Sequence, residues 1–296
     1  MSPLRTFVKD VYAPGLHFAF AAAWFLALEG TLRVVERRAA WSFDLATVGA
    51  IATLFLVLFF LRGVDELKDL EYDRVHNPDR PLVRGAVTKG QLAAWLGGTA
   101  LIVFAINAPI SGWLVAIVAA DMLWSLALIA LERRSTKVRD GILLNLLVTY
   151  PVNIALSVYG YVFVLTRSGG APTARGGLVI LAFAFAFLNY EILRKTVWPH
   201  LADRSERLYS HALGGVGAIS VAFGCASAAA TILAGLLVST ARPWLAVFAL
   251  LPLVPATLAL AKFLRHRDTR VKLAPLGLQF LLVFYLGLCV VGLLGG

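Results

Sequence analysis

Charge is scarce in this sequence, and so is cysteine. Only 15% of the 296 residues are Asp, Glu, Lys or Arg, where ordinary soluble domains carry about a quarter. That shortage argues against a soluble domain of this size. The two cysteines, Cys225 and Cys289, both lie inside apolar runs, so no disulfide framework is implied. Low-complexity tails, internal repeats and a separate polar module are absent as well, and a single domain over 1–296 is expected. The N-terminus resembles a signal sequence only superficially, because its first apolar run is long enough to span a bilayer.

What is present is hydrophobic. Apolar residues make up 59% of the chain, and the mean hydropathy is +0.80. Nine segments of spanning length follow one another, at 15–33, 46–64, 90–109, 112–131, 141–165, 176–193, 213–238, 243–263 and 274–294. Pro and Gly breakers separate them, among them Pro109, Gly169-Gly170, Gly214-Gly215, Pro243 and Pro275. The net charge of +10 is parcelled out among short loops and forms no contiguous arm, which excludes nucleic acid as a partner. With the N-terminus on one side and nine alternating helices, 21 basic residues fall on that side and 6 on the other. The positive-inside rule then puts the N-terminus and the charged loops in the cytoplasm, and a bacterial cell membrane is the expected location. On the far side, 34–44 carries Arg37, Arg38, Trp41 and Phe43, and reads as an interfacial stretch with rings at headgroup level.

The densest charge lies at 62–85, RGVDELKDLEYDRVHNPDRPLVRG, directly after the second apolar run. Asp65, Asp69 and Asp73 are spaced four and four. Each such helical step turns ~400° and rises ~6 Å, which sets the three carboxylates along one face within about 80°. Glu66 widens that face. Two explanations remain open at this point. The row holds a divalent, oxygen-seeking cation such as Mg2+, which needs one or two carboxylates plus water and phosphate oxygens; or it is a solvated loop neutralised by Arg62, Lys68 and Arg74. Pro78 and Pro81 bracket Asp79-Arg80, so an extended turn carrying Arg80 and Arg84 is expected. Carboxylates for a metal beside guanidinium groups suit a diphosphate.

These residues resemble a known pattern. DELKDLEYDRVHNPDRP is similar to the first aspartate-rich motif of the UbiA superfamily of intramembrane prenyltransferases, N-D-x-x-D-x-x-x-D followed by P-x-R-P. Asp65 stands where the family has Asn, Glu66 stands for its first Asp, and Asp69 and Asp73 match. RPLVRGAVT continues the likeness. In 189–215 the sequence resembles one branch of that superfamily at Glu191, Arg194, Lys195, Pro199, Tyr209 and Ser210. It departs where the second acidic motif should be thickest, because His200, Leu201 and Ala202 leave Asp203 as the clear acid.

The resemblance implies an all-α polytopic membrane protein with nine transmembrane helices around a central cavity. It implies Mg2+ held by Asp65, Glu66, Asp69 and Asp73, with Asp203 and Glu191 or Glu206 from the second loop. His200 is a poor substitute for oxygen. Lys68, Arg80, Arg84, Arg133, Arg134, Arg194 and Lys195 would bind the diphosphate, with Asp69, Asp73 and Lys195 carrying the catalysis. For Glu191 an intrahelical pair with Lys195 is the equally open alternative, and for Arg133 and Arg134 plain positive-inside anchoring. Asp121, Asn145, Tyr150, Asn189 and Tyr209 are candidate acceptor contacts, since ionisable and polar groups at membrane depth face a cavity or the bundle interior. Asp121 is equally open to a structural role as a protonated or hydrogen-bonded residue.

The activity so implied is Mg2+-dependent transfer of a prenyl group from a prenyl diphosphate to an aromatic, specialised-metabolite or other electron-rich acceptor. A terpene cyclase acting on the diphosphate alone is the nearer alternative. A transporter is the distant one, since transporters place their ionisable residues near the bilayer midplane. The D-G-x-x-A-R signature of phosphotransferases that use CDP-linked alcohols is absent. Asp69→Ala and Asp73→Ala are each expected to abolish Mg2+-dependent turnover in membranes at unchanged expression; near-normal product formation by either variant removes the metal assignment.

Overall fold

The computed structural model describes residues 2–38, 43–203 and 205–295. Among them no strand occurs, and nine helices are long and apolar enough to cross a membrane. They are α1 (Pro14–Val35), α2 (Leu45–Lys68), α3 (Lys89–Asn107), α4 (Gly112–Arg134), α5 (Ile142–Ser168), α6 (Ala174–Arg194), α7 (Tyr209–Val238), α8 (Pro243–Arg265) and α9 (Ala274–Gly295). Each coincides with an expected apolar segment to within about one turn. Helix is the form such segments must take, because hydrocarbon offers no water to bond free N–H and C=O groups.

Each span packs on the next in sequence, and α9 closes the ring against α1. Side chains turned outward are apolar, including Leu101, Trp113, Leu123 and Leu147. Lipid is the medium that covers such a surface, and the chain is an integral, multi-pass membrane protein. Before α1, Pro3–Phe7 and Val8–Tyr12 form two further turns. Phe7 and Tyr12 are buried against Phe59 of α2.

Breaks in the helices matter as much as their length. α5 is two helices, Ile142–Thr149 and Pro151–Ser168, interrupted where Pro151 has no N–H to donate. α8 is divided near Pro252 in the same way. Inside α7, Gly214 takes φ +71°, a left-handed value that glycine adopts without Cβ strain. The first turn of α7 is therefore tilted away from the rest. The acidic row also bends: α2 ends at Lys68 and a new helix runs Leu70–His76. Spacing survives the bend, since Asp69 N bonds Asp65 O and Asp73 N bonds Asp69 O, both at 2.8 Å. The segment after Pro78 is a turn, as expected, but a tight one, with Arg84 N bonding Arg80 O at 3.0 Å.

The ends of the ring differ. Around 34–38 the chain forms a polar clamp. Glu36 accepts from Arg38 Nε at 2.6 Å, from Tyr161 Oη at 2.6 Å and from Thr173 Oγ1. Burial would raise this carboxyl, but the three donors hold it below the usual carboxylate range. The described part of 34–44 is thus a knot of hydrogen bonds, with Phe43 exposed. Trp41 of that stretch, and Arg204 among the basic residues assigned to the opposite side, lie outside the described residues.

α1 and α9 approach closely at Gly30, where an added Cβ would lie 2.8 Å from Gly292 Cα. Small residues permit such contacts between membrane helices. Gly30→Leu should lower the thermal unfolding temperature in detergent by several degrees. Gly98→Leu, where nothing lies within 4 Å, should leave it unchanged.

Candidate functional site

At the end of the ring opposite the clamp, the two parts of the charged region meet. A cavity of about 600 Å3 opens there, lined by the ends of α2, α4, α5, α6 and α7 and by the loops between them. Seven carboxylates (Asp65, Glu66, Asp69, Asp73, Glu132, Glu191, Glu206) and seven cations (Arg62, Lys68, Arg80, Arg139, Arg194, Lys195, Arg207) contribute to its wall.

The carboxylates are held unequally. Glu66 is buried and takes Arg62 at 2.6 Å and Arg80 at 2.8 Å on the same oxygen. From the cavity wall it anchors two guanidinium groups. Asp73 is also buried, and accepts from Asn77 Nδ2 at 2.7 Å with Arg80 Nε at 3.9 Å. Glu191 is gripped by Arg194 at 2.5 Å and Lys195 at 2.9 Å, and Tyr209 Oη donates to it at 3.3 Å. Asp65 and Asp69 are looser. Asp65 meets Lys68 at 3.4 Å, Asp69 meets Arg207 at 4.0 Å, and their side chains are 46% and 35% exposed. Burial raises the Asp69 carboxyl above the usual range; Lys68 opposes this, and the charges of Asp65 and Glu132 add to it.

Among the described residues, no three of Asp, Glu, His and Cys gather closely enough to hold a metal ion between them. The donor set still suits Mg2+. It is all oxygen, its loosest members Asp65 and Asp69 face the cavity, and Mg2+ takes one or two carboxylates and completes its shell with water and phosphate. Of the second set, Glu191 and Glu206 line the cavity and Asp203 does not. Asp203 is exposed and its carboxylate turns back to accept Ser205 N at 2.8 Å and Ser205 Oγ at 2.9 Å. These local bonds hold its carboxyl below the usual range, and a short Asp closing its own turn is a common use of the residue.

Other expected residues also fall outside the cavity wall. Arg84 pairs with Asp10 at 2.6 Å, while Arg133 and Arg134 are exposed in the last turn of α4. Asp121 and Asn189 are buried inside the bundle. Asn189 Nδ2 bonds Ala222 O at 2.9 Å, and both Asp121 oxygens lack a partner among the described residues. Asn145 and Tyr150 do line the cavity. Tyr150 Oη bonds Ala184 O across to α6, and Asn145 Nδ2 bonds Glu132 at 2.6 Å.

Glu132 and Arg207 were missed from the sequence. Glu132 is 4% exposed and meets Lys68 at 3.5 Å. Its signal lay in the helical spacing of Ser125, Leu128 and Glu132, the cavity-facing stripe of α4. Below them Phe187 lines the floor, stacked on Trp24 at 6.1 Å, and Trp24 is stacked on Tyr285 at 6.4 Å.

A raised carboxyl has a cost. Folded Asp69 keeps its proton to higher pH than unfolded Asp69, so its penalty enters as pH rises through the unfolded value and is complete above the folded one. Asp69→Asn should therefore raise the unfolding temperature of the ligand-free chain at neutral pH. The gain should shrink as pH falls and vanish below about 3, where both states hold the proton. A gain independent of pH would contradict this origin.

No protein-family model matches the sequence, and no curated protein does. Solved structures do match. A structure of digeranylgeranylglyceryl phosphate synthase is 15% identical, with a TM-score of 0.67 over 99% of each chain. The apo form of a UbiA homolog from Aeropyrum pernix K1 is 21% identical, with a TM-score of 0.62 over 93% of this chain and 97% of that one. A UbiA homolog from Archaeoglobus fulgidus bound to GPP and Mg2+ is 12% identical, with a TM-score of 0.60 over 95% of this chain and 99% of its own. In its nine-helix ring with a charged cavity at one end, this chain has the UbiA-type fold.

Proposed function

We propose that the chain is a UbiA-superfamily prenyltransferase, one domain over its length, which moves a prenyl group from a prenyl diphosphate to an aromatic or other electron-rich acceptor inside the membrane. The observation that carries this reading is the cavity itself. Loosely held carboxylates and a set of cations share one space, above a floor of stacked rings. A diphosphate ester of an apolar chain has this same division, an anionic head and an apolar tail. The GPP and Mg2+ of the Archaeoglobus fulgidus homolog support the reading by fold likeness.

In this reading Asp65, Asp69 and Asp73 would hold Mg2+, which would offset the charge growing on the departing diphosphate. Glu66 positions Arg80, and Lys68, Arg80, Arg194 and Lys195 neutralise the same oxygens. The bond between C1 of the prenyl chain and its oxygen breaks with both electrons going to pyrophosphate. An electron pair of the acceptor then forms the new bond to C1, and the acceptor gives up a proton. Phe187, backed by Trp24 and Tyr285, would shield the allylic cation from water. Asn145 and Tyr150, on the α5 side of the cavity, are placed to orient the acceptor. The 21-to-6 distribution of basic residues supports a cytoplasmic mouth.

The test is to incubate membranes with a panel of prenyl diphosphates and candidate acceptors, with and without Mg2+, and to identify products by mass. A product equal to acceptor plus prenyl group, formed with Mg2+ and not without it, is expected. Cyclic hydrocarbon formed from the diphosphate alone would make the chain a cyclase. Consumption of no prenyl diphosphate would refute the reading.

A further inference from the structure

The loop joining α6 to α7 sets a cation against the first acidic row, while its two acids are bound elsewhere among the described residues. Asp203 is tied to Ser205. Glu206 is clasped by Arg270 of the loop between α8 and α9, through Nη1 at 2.9 Å and Nη2 at 2.5 Å. Between that clasp and the first turn of α7 stands Arg207. Its guanidinium lies 4.0 Å from Asp69, 3.9 Å from Asp140 and 4.8 Å from the centre of the Tyr72 ring. One side chain thus joins three elements around the mouth: the end of α2, the short helix Leu70–His76, and Thr136–Asp140 after α4.

The hold on this side chain is uneven. Its base is fixed, because Glu206 is bound bidentately and Tyr209 N bonds Lys195 O at 3.0 Å. Its tip is not. Contacts of 3.9 and 4.0 Å to two partly exposed carboxylates are beyond direct hydrogen bonding and contribute little in a wet mouth. Asp69, meanwhile, is one of the two carboxylates least engaged in the cavity.

We propose that Arg207 is a diphosphate-binding arm. When a diphosphate enters, its guanidinium exchanges Asp69 and Asp140 for phosphate oxygens, and Asp69 is freed toward the cavity. The planar fork of Arg matches two phosphate oxygens at once, and such charge-assisted bonds are stronger than what the arm gives up. The cation–π contact with Tyr72 keeps the guanidinium at the mouth during the exchange. This assignment rests on the prenyl diphosphate reading above.

The experiment is isothermal titration of the purified full chain in detergent with inorganic pyrophosphate at fixed Mg2+, comparing wild type, Arg207→Ala, Arg207→Lys and Asp140→Asn. Arg207→Ala should weaken binding about tenfold or more, the loss expected for a charge-assisted pair, and Arg207→Lys should recover part of it. Asp140→Asn should tighten binding, because a competitor for the arm is removed; this variant stands as the test should Arg207→Ala fail to fold. Affinity of Arg207→Ala within about twofold of a wild type that does bind, or weaker binding by Asp140→Asn, overturns the arm and leaves the prenyl diphosphate reading in place. A wild type that takes up no pyrophosphate overturns both.

Discussion

Charges at the edge of an apolar bundle are tolerable only in company, and that constraint shapes the working end of this protein. Seven carboxylates line the cavity beside seven cations. Removing either set would leave charge without compensation in a poorly hydrated space, where each unpaired group costs several kcal/mol. The pairing is graded. Glu66 and Glu191 each have two cationic partners within 3 Å, and they fix the frame. Asp65 and Asp69 are in longer ion pairs, at 3.4 and 4.0 Å. A site proposed to accept a cation and an anionic head needs both kinds, because a loosely held carboxylate gives up less in meeting a ligand than one already tightly paired.

The far end of the ring shows the contrast. Glu36 there is satisfied by three donors from three parts of the chain, and nearby Asn107 ties Thr53 and Tyr159 together at 2.8 Å on each side. Such closed networks are cross-links between membrane helices. Both ends carry charged residues, and the completeness of their bonding separates scaffold from site.

Interruptions in helices bring the site together. The bend at Asp69 turns the acidic row across the mouth, the break before Pro151 sets Asn145 and Tyr150 against the cavity, and Gly214 frees the first turn of α7 so that Tyr209 reaches Glu191. Each lies at a charged loop or at a Pro or Gly, where the hydrocarbon constraint on backbone bonding is relaxed by side chains and by other helices.

The nine spans, the acidic row and the cationic Glu191–Lys195 cluster were legible in the amino-acid order. Hydrophobic length and i, i+4 spacing are local properties that a membrane enforces on any chain. The roles inside the mouth were not legible. Nothing near Asp203 in the sequence says that it closes its own turn, nor near Arg207 that it crosses to Asp69 and Asp140, because contacts between loops depend on how the α6–α7 loop is pinned by Arg270, sixty-odd residues later in the chain. Spacing told which residues share a helix face; only the packed ring decided which carboxylates would be bound tightly by cations and which would be held loosely.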